Sequence, residues 1–187
     1  MSKILSIPKY RLPFNNGYSR VKDTDVWLQY GSYMLYRDLS ENFKLFYKVI
    51  PYLIIRHQDR YLVFEDNGLS FNPKGLSYII EGMAEYDPIK AVVQYNAKRY
   101  GVKDMTTLVH EGYIKSIKEY PNAIAVVYIA EMGDRRRIPK NAKLLTVEEL
   151  INKNRKFDSF GMYYIDYIVK KEYKGWFKCY LVKSSRY

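Results

Sequence analysis

The nine residues Ala123–Glu131, AIAVVYIAE, restrict the fold of this chain more than any other stretch. A strand with one wet face alternates in polarity. A near-continuous apolar run is instead what a strand covered on both faces displays. The rest of the chain must therefore supply layers on either side of a sheet.

The other elements follow from local signals. Lys48–Arg56 (KVIPYLIIR) is a β-branched apolar run, Gln58-Asp59 turns it, and Arg60–Glu65 returns, which predicts a hairpin. Asp66 to Gly75 carries loop residues, and Leu76–Ile80 reads as a further strand. Asp87-Pro88 opens a helix, because Asp caps an N-terminus and Pro is tolerated in the first turn. Ile89, Val92, Val93, Asn96 and Tyr100 share one face of it, and Gly101 is placed to end it in the left-handed conformation. Thr107–Tyr120 alternates as a strand does. Thr146 caps a short helix over Val147–Asn152 with Glu148 and Glu149 in its first turn, and a longer helix is expected over Asp158–Glu172. Residues 1–45 are mixed: Pro8 and Pro13 favour extended chain, Asn15-Asn16-Gly17 a turn, and Trp27–Leu39 a short helix or an irregular segment. The tail, Lys174–Tyr187, alternates aromatics with cations and reads as an extra strand.

With 187 residues, no Ser/Gly-rich linker and no internal repeat, one domain is expected. Its parts are an N-terminal extension (1–45), a core (46–172) and a basic aromatic tail (173–187). Lys and Arg number 31 against 20 Asp and Glu, a net charge of +11 and a pI near 9.5. Such a surplus attracts phosphate, nucleic acid or an acidic protein face, and also suits a solvated surface. The 21 tyrosines can pack a ring while keeping a hydroxyl wet, which fits half-buried strands and stacking surfaces. The single cysteine, Cys179, leaves no internal disulfide or multi-cysteine zinc site, and a reducing cytoplasm is the expected setting. No apolar run approaches the ~20 residues of a bilayer span, and the N-terminus lacks the apolar core of a secretory signal.

The order hairpin, strand, capped helix ending in Gly101-Val102, strand, buried strand, polar loop, short Glu-containing helix and final helix resembles the Nudix fold, a mixed β-sheet sandwiched between α-helices. The phrases Val49–Ile55, Tyr61–Phe64 and Gly75–Gly82 are similar to a Nudix subfamily, and the resemblance spans roughly residues 45–170. It implies an α/β (α+β) domain. The family's signature, G-x5-E-x7-R-E-U-x-E-E-x-G-U, places glutamates one helical turn apart so that they gather magnesium, which polarises a diphosphate and activates water. Anchored on Gly101-Val102, its arginine falls on Gln94 and its three helix glutamates on Tyr95, Lys98 and Arg99. Ala91-Val92-Val93 matches the preceding apolar stretch, and the opening glycine matches Gly82. A dication beside two cations is repelled by about 1 kcal/mol per charge pair at ~4 Å in water, and by more when buried. No metal, cofactor or catalytic residue is therefore expected here.

Four groups of candidate contacts remain. Gln94, Tyr95, Lys98 and Arg99 line one helix face, where the cations suit a phosphate and equally the dipole of a last helical turn. Arg135, Arg136 and Arg137 follow a turn, as a grip on a polyanion or as an exposed loop. Trp176 and Lys178 belong to the interleaved rings and cations of the tail, suited to base stacking or to docking as an edge strand. The basic set Lys3, Lys9, Arg11, Arg20 and Lys22 is similarly ambiguous. His57 and His110 have no second ligand at metal spacing, and nothing in the residues selects among Glu111, Glu119 and Glu131 as a base. Three functions stay open: a non-catalytic binder of nucleotide, nucleic acid or an acidic partner; a divergent hydrolase of nucleotide diphosphate linkages; and a protein-interaction effector, virus-encoded effectors included, acting on a host factor.

Overall fold

The computed structural model describes residues 3–12, 16–20, 30–35, 44–72, 88–115, 122–133 and 138–172. The apolar run is strand β8 (Ala123–Glu131), and it pairs in parallel with β4 (Phe46–His57) from Lys48↔Ala123 to Arg56↔Glu131. On the other side of β8 lies β7 (Val109–Lys115), antiparallel, with β2 (Gly17–Ser19) at its far edge. Beyond β4 come β1 (Lys3–Pro8) and β3 (Ser32–Leu35), giving the order β2-β7-β8-β4-β1-β3. The expected hairpin is β4 with β5 (Arg60–Asp66). β5 in turn pairs with β6 (Gly68–Ser70) and β9 (Ala142–Thr146).

Both faces of the paired strands are covered, as their composition requires. Tyr47, Val49, Leu53 and Ile55 of β4 and Ile124, Val126 and Tyr128 of β8 pack with Ile89, Val92, Val93 and Ala97 of helix α1 (Pro88–Arg99). The intervening Ile50, Tyr52 and Ile54, with Ala125 and Val127, pack on the opposite face. There they meet Phe160, Tyr164, Ile165 and Ile168 of α3 (Ser159–Glu172) and Leu150 of α2 (Val147–Asn152). Burying each large aliphatic side chain contributes about 1.5–3 kcal/mol. The period-2 alternation of two adjacent strands thus sets which helix each face receives.

Pro51 sits inside β4, where a proline costs a ladder bond in a doubly paired strand. Among the described residues, β1 pairs only with residues 46–48 of β4 and β5 only with 56–57, so no described strand pairs with the edge at Pro51. Two residues on, along that same edge, the Leu53 N–H donates to the Asn72 side-chain oxygen at 3.3 Å.

Three sequence expectations change. The segment read as an N-terminal extension contributes β1, β2 and β3 to the sheet. Within Trp27–Leu39, read as a short helix or an irregular segment, Tyr30 is helical and residues 32–35 form a strand paired with β1. β9 had no counterpart among the expected elements. The expected strand 76–80, Gly82, the end of the Thr107–Tyr120 strand, the Arg135–Arg137 triplet and the tail with Trp176 and Lys178 lie outside the described residues.

Candidate functional site

Helix α1 stands on β4 and β8 by its apolar face, and its end is fixed by a pair of reversed hydrogen bonds. The Val102 N–H donates to the Ala97 carbonyl at 2.9 Å and the Gly101 N–H to the Lys98 carbonyl at 3.3 Å, with Gly101 at φ 90°. This is the Schellman arrangement, which needs a residue free to adopt positive φ. The Gly101 carbonyl then accepts from the Gly133 N–H just beyond β8, tying the helix end to the strand end. The expected left-handed glycine stop is present. Asn96, on the inner face, is buried, and its amide donates back to the Val92 carbonyl at 2.9 Å.

With the inner face spent on the core, the positions one turn apart on the outer face are open. Tyr95 is 68% exposed, Lys98 and Arg99 are exposed and Gln94 is half-buried. The structure therefore brings these four together on one helix surface. The Arg99 guanidinium lies 5.7 Å from the centroid of the neighbouring Tyr100 ring. The surface offers an amide, a phenol and two cations, and α1 carries no carboxylate at all. That donor set does not fit a divalent ion, which takes hard, preferably anionic oxygen ligands. It does fit phosphate oxygens, which accept from guanidinium and ammonium groups. Among the described residues no group of three or more His, Cys, Asp or Glu side chains gathers as a metal site.

At the common end of β4 and β8, the groups weighed as acids and ligands have structural partners. Arg56 Nε lies 3.5 Å from a Glu131 carboxylate oxygen. His57 Nδ1 is 2.8 Å from the Met132 carbonyl, the geometry of a ring N–H donating to it. The Met132 N–H donates to the Arg56 carbonyl at 2.6 Å. These contacts hold the chain where it leaves the sheet toward residues 134–137.

A second polar cluster surrounds Glu111, whose side chain is 12% exposed. It sits in β7 at a register shift between His110 and Gly112. Tyr167 of α3 donates its hydroxyl to Glu111 Oε1 at 2.9 Å, and Lys171 stands 3.6 Å from the same oxygen. Tyr18 of β2 donates to the Glu111 backbone carbonyl at 2.6 Å and stacks on Tyr167 with centroids 3.8 Å apart. Burial, then the Glu111 charge, pushes the Tyr18 phenol far above its ordinary range, so it serves as a donor and not as a base. Gly112 lets β2 approach: a Cβ there would lie 2.4 Å from the Ser19 carbonyl. The Glu111 carboxylate thus holds α3 to β7, while its backbone carbonyl holds β2.

No protein-family description and no curated protein matches the chain. Among solved structures it is similar to the crystal structure of Tm1382, a candidate Nudix hydrolase. The match has a TM-score of 0.66 and covers 90% of this chain and 98% of that one, at 16% sequence identity. The architecture is thus a mixed sheet with helices on its faces, an α+β fold similar to a Nudix hydrolase structure.

Proposed function

We propose that this chain uses a Nudix-like scaffold to hold a phosphorylated ligand, a nucleotide or a nucleic-acid strand, without metal-dependent hydrolysis. The carrying observation is the outer face of α1, where Tyr95, Lys98 and Arg99 stand exposed at the spacing that would otherwise gather a dication. Fixed cations there attract the phosphate a metal would have bridged. The net charge of +11 supports the same reading, because it raises the local concentration of any polyanion.

Two measurements test it together. Incubation with a panel of nucleoside di- and triphosphates and dinucleotides in Mg²⁺ or Mn²⁺ is expected to release no phosphate above the buffer. A labelled oligonucleotide is expected to bind with log Kobs falling linearly in log salt. Lys98→Gln with Arg99→Gln is expected to flatten that slope by about 0.7 for each phosphate of a single strand that is no longer neutralised. Metal-dependent phosphate release would overturn the proposal in favour of a divergent hydrolase. Retention that ignores salt would overturn it as well.

A further inference from the structure

The Gly133–Gly101 bond places the end of α1 beside the last residues of β4. The first residues of β4 lie at the other end of a 12-residue strand, on the order of 35 Å of extended chain away. Two chain segments meet there. The Lys9 N–H donates to the Leu45 carbonyl at 2.8 Å, which sets the 3-10 turn Lys9–Arg11 against the residues that enter β4. From that turn the Arg11 guanidinium reaches two rings, 4.9 Å from the Tyr10 centroid and 4.4 Å from that of Tyr30. Tyr10 is 74% exposed, Leu45 61% and Tyr30 38%. Arg11 and Lys44 are exposed beside them.

A lone exposed apolar residue is ordinary. Two rings joined through one guanidinium, with a leucine on the segment bonded to the same turn, make a patch. A phenol ring attracts a cation without neutralising it. Arg11 is therefore positioned while its charge stays intact, and part of the entropy of ordering its donor fork is already spent. Tyrosine and arginine are the residues enriched at the energetic centres of protein interfaces, and the guanidinium fork matches a carboxylate.

Charge sets the sign of the partner. At a net +11 a second copy of this chain is repelled, whereas an acidic surface is attracted. A nucleic-acid strand suits the patch less, because it calls for cations that track its backbone. The other cation of the turn, Lys9, has its Nζ 3.2 Å from Asn122 Oδ1 and 4.8 Å from the centroid of the buried Tyr47 ring.

We infer that Tyr10, Tyr30 and Leu45 around Arg11 form a docking surface for an acidic polypeptide. A partner carboxylate takes the Arg11 fork, and partner apolar side chains cover the rings and the leucine. The surface is separate from the phosphate-binding face of α1, and either reading can fail without the other.

The test is selection of displayed random peptides of about 12 residues, long enough when extended to cross the patch, on the full chain. Enriched sequences are resynthesised with a fluorescent label and measured by anisotropy, beside a labelled oligothymidylate. The full chain is compared with Tyr10→Ala, with Arg11→Gln, and with the α1 variant Lys98→Gln plus Arg99→Gln. Tyr10 and Arg11 are exposed, so the loss of either side chain leaves the core intact. Expected are enriched sequences that combine Asp or Glu with apolar residues, and affinities about 5- to 30-fold lower in Tyr10→Ala and in Arg11→Gln. Enriched peptides without acidic residues would overturn the docking surface. So would acidic peptides that ignore both patch substitutions, whether or not the α1 variant weakens them, and so would no enrichment over the starting library. Loss of oligothymidylate affinity in Tyr10→Ala would overturn it in favour of a nucleic-acid surface.

Discussion

Gln58 holds a backbone φ of 58°, a conformation that costs a residue with a Cβ roughly 1–2 kcal/mol. It occupies the first central position of the two-residue turn between β4 and β5, where His57 pairs with Arg60. A positive φ at that position is what a type II′ turn requires, and glycine fills it without strain. Gln58→Gly is therefore expected to raise stability by about 0.5–1 kcal/mol, after the entropy that glycine loses on folding. Urea unfolding checks this, and an unchanged or lowered midpoint would show that the turn bears no strain. The sequence announced the turn through Gln58-Asp59 but not its type, since neither residue declares positive φ. Residue-scale legibility followed the range of the contacts. The exposed Tyr95, Lys98 and Arg99 came from helical phase and one glycine, all within a few residues. The role of Glu111 depends on Tyr167 and Tyr18, and the pairings span 56 and 93 positions. No local pattern distinguishes that carboxylate from Glu131.

At the scale of elements, the same rule decides which ones were visible. α1 carries its own stop chemistry in Gly101, and α2 its own start in Thr146. In α2 the Glu149 N–H donates to the Thr146 hydroxyl at 3.3 Å, and the Thr146 N–H donates to Glu149 Oε2 at 2.8 Å, a reciprocal capping box. β3 and β9 carry no such signal. Each is a short strand of five residues or fewer, defined only by its partner, β1 for one and β5 for the other. Their stability comes from cross-strand pairing, which is absent from the local sequence. The capping box makes a prediction with a sign. The Thr146 backbone N–H lowers the Glu149 pKa first and foremost, so the folded state binds that proton less readily than the unfolded chain does. The carboxylate's contribution is then full above the ordinary glutamate pKa of about 4.3. It is lost as pH falls through the depressed folded value. Thr146→Ala removes only the hydroxyl half of the box and is expected to cost about 1 kcal/mol, whereas the destabilisation by Glu149→Gln should be present at neutral pH and fade below about pH 4. Urea unfolding at the two pH values reads it. A Glu149→Gln gap that stays constant into acid would mean that the glutamate charge contributes nothing.

Charge belongs to the molecule as a whole, and it acts on folding and on binding in opposite senses. A net +11 repels itself more strongly in the compact state than in the expanded chain, so it destabilises the fold. The ion pairs Arg56 with Glu131, Lys143 with Glu65 and Lys171 with Glu111 are at least partly exposed. Pairs of that kind contribute typically 0–1 kcal/mol each. Raising ionic strength from about 0.01 M to about 0.15 M shortens the screening length from ~30 Å to ~8 Å. Repulsion distributed over the whole surface is then relieved more than contacts at 3–4 Å are weakened. The melting temperature of the free protein is therefore expected to rise over that range, while its affinity for an oligonucleotide falls. A melt in the presence of saturating oligonucleotide should show the reverse slope, because the ligand stabilises the fold most where it binds most tightly. The two curves should approach each other as salt increases, and where the complex ceases to form they should coincide. A free-protein melting temperature that declines with salt would mean that the specific ion pairs, and not the net charge, dominate the electrostatics of this fold. The positive surface would then be locally compensated, with little pull left over for a polyanion.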